Sequence, residues 1–258
     1  MVERDIHRIQ AGAIGRNRRF REENRDMMLL FAMIAGSIVA AGVVMTALTT
    51  FYRSPASENR QLRDPKTRPS GASDFRQRWI LNALLSIGLI SALTYGLYPY
   101  LFIEASVPLE RIAWEGLAIL GLYDFFYYLV HRYPFHEWKV LRSVHAVHHV
   151  VKTPSAADSL YLHPIETTLG LSLVWICAGI VTAIAGPVSI YSFGWAFFVY
   201  SMLNVVIHSG LKLPAFPFAP INYLTERHQK HHVGMNAKNY SSVTPTMDLL
   251  FGTEVRSS

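Results

Sequence analysis

Long runs without charged residues constrain this sequence more than any other feature. Residues 27–52 contain no Asp, Glu, Lys or Arg, and the same is true of residues 79–103 and 167–211. About 20 apolar residues cross the hydrocarbon core of a bilayer as a helix, so the first two runs each predict one membrane-spanning helix. The third run is long enough for two helices, with Gly186-Pro187 as the turn between them.

A further segment, residues 112–130, is apolar apart from Glu115 and Asp124, which predicts a helix with one face against protein. The chain is 16% charged, where soluble domains carry about 25%. The sequence therefore predicts an all-α fold, an integral membrane bundle of four to five helices with a histidine-rich helical cap. We divide the chain into a basic N-terminal arm (residues 1–26), an extra membrane helix with a polar linker (residues 27–78) and a histidine-containing membrane region (residues 79–258).

The histidines are unevenly distributed, since all but one of the 11 lie between His131 and His232. If the predicted helices alternate in direction from residue 79 onward, these histidines all fall on one side of the membrane. Lys and Arg are more frequent in the loops on that side, so the positive-inside rule places the histidines in the cytoplasm. The Arg-rich segment 16–25 conflicts with this orientation if residues 27–52 span the membrane. Either that helix lies in the membrane interface, or the charge bias is a weaker indicator of orientation.

The spacing of the histidines indicates metal ligands. Residues 145–149 read H-A-V-H-H, and residues 228–232 repeat the pattern as H-Q-K-H-H. Positions i, i+3 and i+4 of a helix share one face, so each box can present three imidazoles to a common point. His131 and His136 form a third pair, with Pro134 expected to break the helix between them. Imidazoles suit iron, zinc, copper or nickel, and this set exceeds the ligands of one zinc ion, so two metal ions are predicted.

Other candidates are single residues near these boxes. Asp124 lies on the same helical stripe as His131, and Glu166 follows His163 by three positions, so we expect both carboxylates to support ligand imidazoles. Pairing of Asp124 with a neighbouring helix is the alternative. His163 and His208 are each also compatible with a hydrogen-bonded residue at a helix end. The metal-ligand candidates are His131, His136, His145, His148, His149, His163, His208, His228, His231 and His232.

These motifs resemble the fatty acid hydroxylase/sterol desaturase superfamily of membrane di-iron oxidoreductases. The resemblance rests on DFFYYLVHR (residues 124–132), VHAVHH (144–149), LHPIE (162–166), IHSG (207–210), HQKHH (228–232) and DLLFGT (248–253). It implies that residues 79–258 form a catalytic domain that uses two non-haem iron ions, dioxygen and reducing equivalents to hydroxylate or desaturate a lipid. The candidate histidines would bind the iron, which zinc can replace in a purified sample. Some members have a further histidine at the position of Lys212, so His163 is expected either to take that place or to support a ligand.

The resemblance also implies partners for the reaction. No fused cytochrome domain is recognisable, so electrons are expected from a separate ferredoxin, rubredoxin or b-type cytochrome with its reductase. The net charge of +6 fits orientation in a membrane better than a nucleic-acid partner. The lipid is left open among fatty acyl chains, sterols and carotenoids, as is the choice between hydroxylation and desaturation. Two other functions stay open: a membrane zinc hydrolase, although the chain has no H-E-x-x-H motif, and a non-catalytic metal-binding membrane subunit.

Overall fold

Helices make up nearly all of the regular structure. The computed structural model describes residues 2–62, 74–103 and 107–255, with side chains from residue 24 onward. The helices are α1 (Val2–Tyr52), α2 (Phe75–Leu101), α3 (Leu109–Val130), α4 (Arg142–Ala146), α5 (Pro164–Ala185), α6 (Ile190–Val206), α7 (Ala215–His231) and α8 (Thr246–Leu250). Five of them, α1, α2, α3, α5 and α6, form a bundle, and α4, α7 and α8 belong to the histidine-containing cap. The predicted all-α fold is confirmed.

Several of the long helices are suited to a membrane. Within the described residues, Asn24–Tyr52, Phe75–Leu101 and Pro164–Ala185 are long and apolar enough to cross one, and Ile190–Val206 is a shorter apolar helix. The predicted turn lies between the last two, where Gly186 has a φ of 86° that glycine adopts without strain. These helices associate the chain with a membrane.

The first helix is an integral part of the bundle. Leu30 and Ile34 of α1 are buried in the same core as Trp175 and Phe193, because α1 packs along α6. The beginning of the predicted polar linker is also attached to the bundle, since Gln61 pairs with Leu211 in an isolated antiparallel bridge. The rest of that linker, residues 63–73, and the side chains of the basic arm up to residue 23 lie outside the described residues.

One end of the bundle is fastened by a short parallel sheet and a buried carboxylate. Strand β1 (Phe102–Ile103) pairs with strand β2 (Val188–Ser189). Glu115 of α3 is fully buried and accepts hydrogen bonds from the Ser189 N–H and the Ser192 hydroxyl, and it pairs with Arg111 at 2.6 Å. These contacts join the end of α2 and the start of α3 to the turn between α5 and α6.

The opposite end of the bundle carries the histidines. The Asn82 amide near the start of α2 donates to the Leu160 and Leu162 carbonyls, and Thr49 near the end of α1 accepts from the Ala157 N–H. Helices α3 and α6 end at this same end, and α5 begins there. His131, His163 and His208 therefore share it, as alternation of the helix direction predicts.

Candidate metal centre

Nine of the ten candidate histidines form two buried groups. The five-histidine group contains His131, His136, His145, His149 and His231, and the four-histidine group contains His148, His208, His228 and His232. Within each group, one ligand nitrogen from every residue lies within 4.8 Å of the others. All nine side chains are buried. Each group could hold one metal ion.

A π-helix supplies the first two ligands of the five-histidine group. Instead of breaking at Pro134, as expected from the sequence, α3 continues into a π-helical turn over His131–Glu137. A π-helix places residues i and i+5 on one face, which is the spacing of His131 and His136. Their ring centroids are 5.0 Å apart. The proline therefore coincides with a wider turn that brings the pair together.

Neither H-x-x-H-H box presents its three imidazoles to one common point, so the prediction from their helical spacing is wrong. In the first box, the five-histidine group takes the i and i+4 residues, and His148 at i+3 belongs to the four-histidine group. In the second box, His228 at i and His232 at i+4 belong to the four-histidine group, and His231 at i+3 belongs to the five-histidine group. Each box thus contributes to both groups, and the two groups are interlocked through both segments.

Most of these imidazoles are oriented by hydrogen bonds to oxygen atoms. Six of the nine place Nδ1 within 2.6–3.2 Å of a backbone carbonyl oxygen. His145 places Nδ1 2.7 Å from Oε1 of Glu166. A carbonyl oxygen only accepts, so Nδ1 must carry the hydrogen, and the lone pair of a neutral ring is then on Nε2. The carbonyls belong to Tyr240, Met235, Tyr161, Asn204, Lys238 and Val151.

The Nε2 atoms of each group converge on one another. In the five-histidine group, Nε2 of His145 lies 3.0 Å from Nε2 of both His131 and His149. In the four-histidine group, Nε2 of His208 lies 2.8 Å from that of His228. Where both rings carry the hydrogen on Nδ1, these pairs place lone pair against lone pair, an arrangement that a bound cation stabilises. The donor chemistry therefore fits a metal ion in each group.

The protonation of the rings agrees with this geometry. Burial lowers the pKa of all nine histidines, to about 4 for His136 and His148 and to about 3 for His208. Neighbouring imidazoles lower the pKa of most of them further, since two positive rings would repel each other. The rings are thus neutral near pH 7, as metal ligands must be.

The remaining sequence candidates occupy three different places. Glu166 is buried and bonds His145, so it contacts a candidate ligand as expected, while its Oε2 has no hydrogen-bond partner. Asp124 accepts hydrogen bonds from the Val243 and Thr244 N–H groups and thereby fixes a backbone segment rather than an imidazole. His163 lies outside both histidine groups. It precedes α5, where its Nδ1 accepts a hydrogen bond from the Ile165 N–H and caps the helix.

The segment after the second box, residues 239–253, positions a backbone carbonyl that contacts the five-histidine group. The residue types in this segment did not predict that role. The buried Asp248 accepts hydrogen bonds from the Tyr240 N–H, the Thr253 hydroxyl and the Arg227 guanidinium. Asn239 has a φ of 69° in the left-handed region, and Tyr240 next to it offers its carbonyl to His131. The closing D-x-x-F-G-T segment therefore positions an acceptor for a candidate ligand.

A cavity of about 360 Å³ extends from the histidines into the helical bundle. His131 and His145 of the five-histidine group line it, together with His148, His208 and His228 of the other group. The walls away from the histidines are mainly apolar and come from all five helices of the bundle. A concave, mainly apolar space with a few polar groups at one end is typical of sites for small apolar ligands.

The histidine groups lie in the part of the chain that matches a known protein family. The fatty acid hydroxylase family model matches residues 116–253, which include both histidine groups. Methylsterol monooxygenase 1 of Rattus norvegicus is 28% identical over 149 residues, 55% of this chain and 46% of the relative. Very-long-chain aldehyde decarbonylase GL1-9 of Oryza sativa subsp. japonica is 30% identical over 137 residues, 52% of this chain and 51% of the relative. The chain thus spans about half the length of these curated relatives, and no solved structure matches it significantly.

Proposed function

The chain belongs to the fatty acid hydroxylase family, and from this membership we propose that it is a membrane-bound non-haem di-iron oxygenase that hydroxylates or desaturates a lipid. The observation that supports the proposal most is the pair of buried, neutral histidine groups at the end of an apolar cavity. The nine histidines of the two groups are the proposed iron ligands. His163 is not assigned as a ligand, because its Nδ1 caps α5.

The proposed reaction balances with dioxygen and an electron donor. Hydroxylation converts one C–H bond, O₂, two electrons and two protons into a C–OH group and one water. Desaturation converts two C–H bonds on adjacent carbons, with the same O₂, electrons and protons, into a C=C bond and two waters. When bound, the iron pair would supply the reduction of dioxygen and the oxidation of an unactivated C–H bond. The polypeptide holds the imidazoles neutral and oriented, with Glu166 bonded to His145 and carbonyls bonded to most of the other rings. The apolar cavity excludes bulk water and places the lipid beside both groups.

The partners and orientation follow from the same proposal. The electrons come from a separate one-electron carrier, a ferredoxin, a rubredoxin or a b-type cytochrome with its reductase. The histidine end of the bundle faces the cytoplasm, where such carriers are available and where the bias of Lys and Arg in the loops places it. The substrate is a fatty acyl chain, a sterol or a carotenoid, and no nucleic acid is involved.

A comparison of lipid extracts tests the proposed function. Cells that express the chain should contain a lipid that differs from its precursor by one added oxygen or two lost hydrogens, and cells with His148→Ala should lack it. Growth without dioxygen should also abolish the new species. Identical lipid profiles with the chain and with His148→Ala, at equal membrane levels of both proteins and in cells supplied with candidate lipids, would refute the proposal. A product that forms by hydrolysis, without dioxygen, would favour the zinc hydrolase instead.

A further inference from the structure

We infer that the substrate reaches the histidine groups sideways from the bilayer, through an opening between α1 and α2, and that Gly42 sets the width of this entrance. The inference rests on the proposed function, because it takes the ligand to be a lipid. It concerns helices that lie outside residues 116–253. Membership of the family therefore does not specify this wall of the cavity.

The cavity lies between two helices that pack on different partners. Helix α1 packs along α6, and α2 packs along α5. On α1 the cavity is lined by Ile38 and Gly42, and on α2 by Ala83, Ile87 and Ile90. Only Glu166 among the Asp, Glu, Lys and Arg residues of the described chain lines it. This part of the wall is thus suited to an apolar chain.

Ile87 marks where the cavity meets the outside of the bundle. Its side chain lines the cavity and is also 53% exposed. Because it belongs to a helix that is long and apolar enough to cross a membrane, this exposed surface faces lipid acyl chains. A lipid can therefore enter at Ile87 from the hydrocarbon region without crossing the aqueous phase.

The depth of the entrance agrees with a lipid substrate. Thr49 bonds the Ala157 N–H at the histidine end of α1, and Gly42 lies seven residues before it. A rise of 1.5 Å per residue places Gly42 about 10 Å from that end, within a hydrocarbon core of about 30 Å. The apolar part of a lipid would therefore lie beside Gly42 while its reacting carbon lies at the histidines.

Gly42 is the position where added volume would narrow the entrance. A Cβ atom at Gly42 would meet no atom within 4 Å, and Gly42 lines the cavity, so a larger side chain would extend from open space into the cavity region. The facing wall on α2 also has short side chains, Ala83 and Ser86. The width of this gap thus depends on small residues on both helices, and alanine or leucine at position 42 is also more favourable in a helix than glycine.

Binding of a fluorescent fatty acid tests this inference independently of turnover. The full chain is reconstituted in lipid nanodiscs, and the dissociation constant of cis-parinaric acid is measured for the wild type, Gly42→Leu and Gly36→Leu. Gly36 is the matched control, because it lies on the same helix, is exposed, would also meet nothing at Cβ and does not line the cavity. We expect Gly42→Leu to weaken binding roughly tenfold or more and Gly36→Leu to leave it unchanged. Ala83→Leu repeats the test from the opposite wall.

The outcomes separate this inference from the proposed function. Equal binding by Gly42→Leu, Ala83→Leu and Gly36→Leu, or no binding by the wild type, would overturn the entrance. If the wild type oxidises lipids and all three variants keep its product pattern and binding, the function stands and the entrance fails. If the iron-loaded wild type oxidises no lipid but only Gly42→Leu and Ala83→Leu bind the probe weakly, the entrance stands and the oxygenase fails.

Discussion

Replacement of Glu166 should weaken metal binding, because Glu166 orients one candidate ligand, His145, through a hydrogen bond. Oε1 lies 2.7 Å from Nδ1 of His145, and both side chains are almost fully buried. The loss of such a supporting contact typically costs 10–100-fold in metal affinity, so Glu166→Leu should weaken binding by about that factor. In Glu166→Gln the amide oxygen still accepts the hydrogen bond. Glu166→Gln should therefore weaken metal binding less than Glu166→Leu does.

The assay is an anaerobic titration of metal-free protein with ferrous iron in the presence of a competing chelator. Glu115→Gln is the matched control, because Glu115 is an equally buried carboxylate at the opposite end of the bundle. It should lower the thermal stability without changing iron affinity. Wild-type iron affinity in Glu166→Leu would refute the assignment of Glu166 as a positioning residue, as would an equal loss in Glu115→Gln.

Three further replacements test other parts of the centre. The triple variant His136→Ala/His149→Ala/His231→Ala leaves two imidazoles in the five-histidine group, fewer than a metal site needs, so it should retain about one metal ion per chain by elemental analysis. Loss of both ions would contradict the division of the boxes. His163→Ala should keep the wild-type metal content, since its ring caps α5, and loss of a metal ion would make it a ligand. Asp248→Ala should destabilise the protein by about 3–5 kcal/mol, measured by thermal unfolding. It removes one of the two carboxylates paired with the buried Arg227 and leaves the Tyr240 and Ser241 N–H groups without this acceptor, and an unchanged melting temperature would refute that role.

Much of the bundle could be predicted from the uncharged runs, because a membrane helix must satisfy its backbone internally and expose apolar side chains. The turn at Gly186 could be predicted as well, since the run was too long for one crossing. The start of α2 at Phe75 could not, because the polar residues before Trp79 extend the same helix. The packing of α1 along α6 depends on tertiary contacts of Leu30 and Ile34 that no local pattern encodes.

The histidines of the site could be identified from spacing, but their distribution between two groups could not. The first box is only partly α-helical, with a 3₁₀ turn over His148–Val150, so the face shared by an ideal helix does not apply. The π-helical turn at His131 likewise has no local sequence signal beyond Pro134. The acceptors of Nδ1 are mostly backbone carbonyls, which any residue type supplies. Of the two carboxylates predicted for this role, Glu166 contacts an imidazole, whereas Asp124 accepts from backbone N–H groups.

The most direct test of the proposed iron centre is Mössbauer spectroscopy of protein loaded anaerobically with ⁵⁷Fe(II), before and after addition of dioxygen. Two iron sites per chain, one for each histidine group, predict two ferrous components of equal area that are both oxidised when dioxygen is added. A single ferrous component equivalent to one iron per chain, or ferrous signals that dioxygen leaves unchanged, would contradict a di-iron oxygenase.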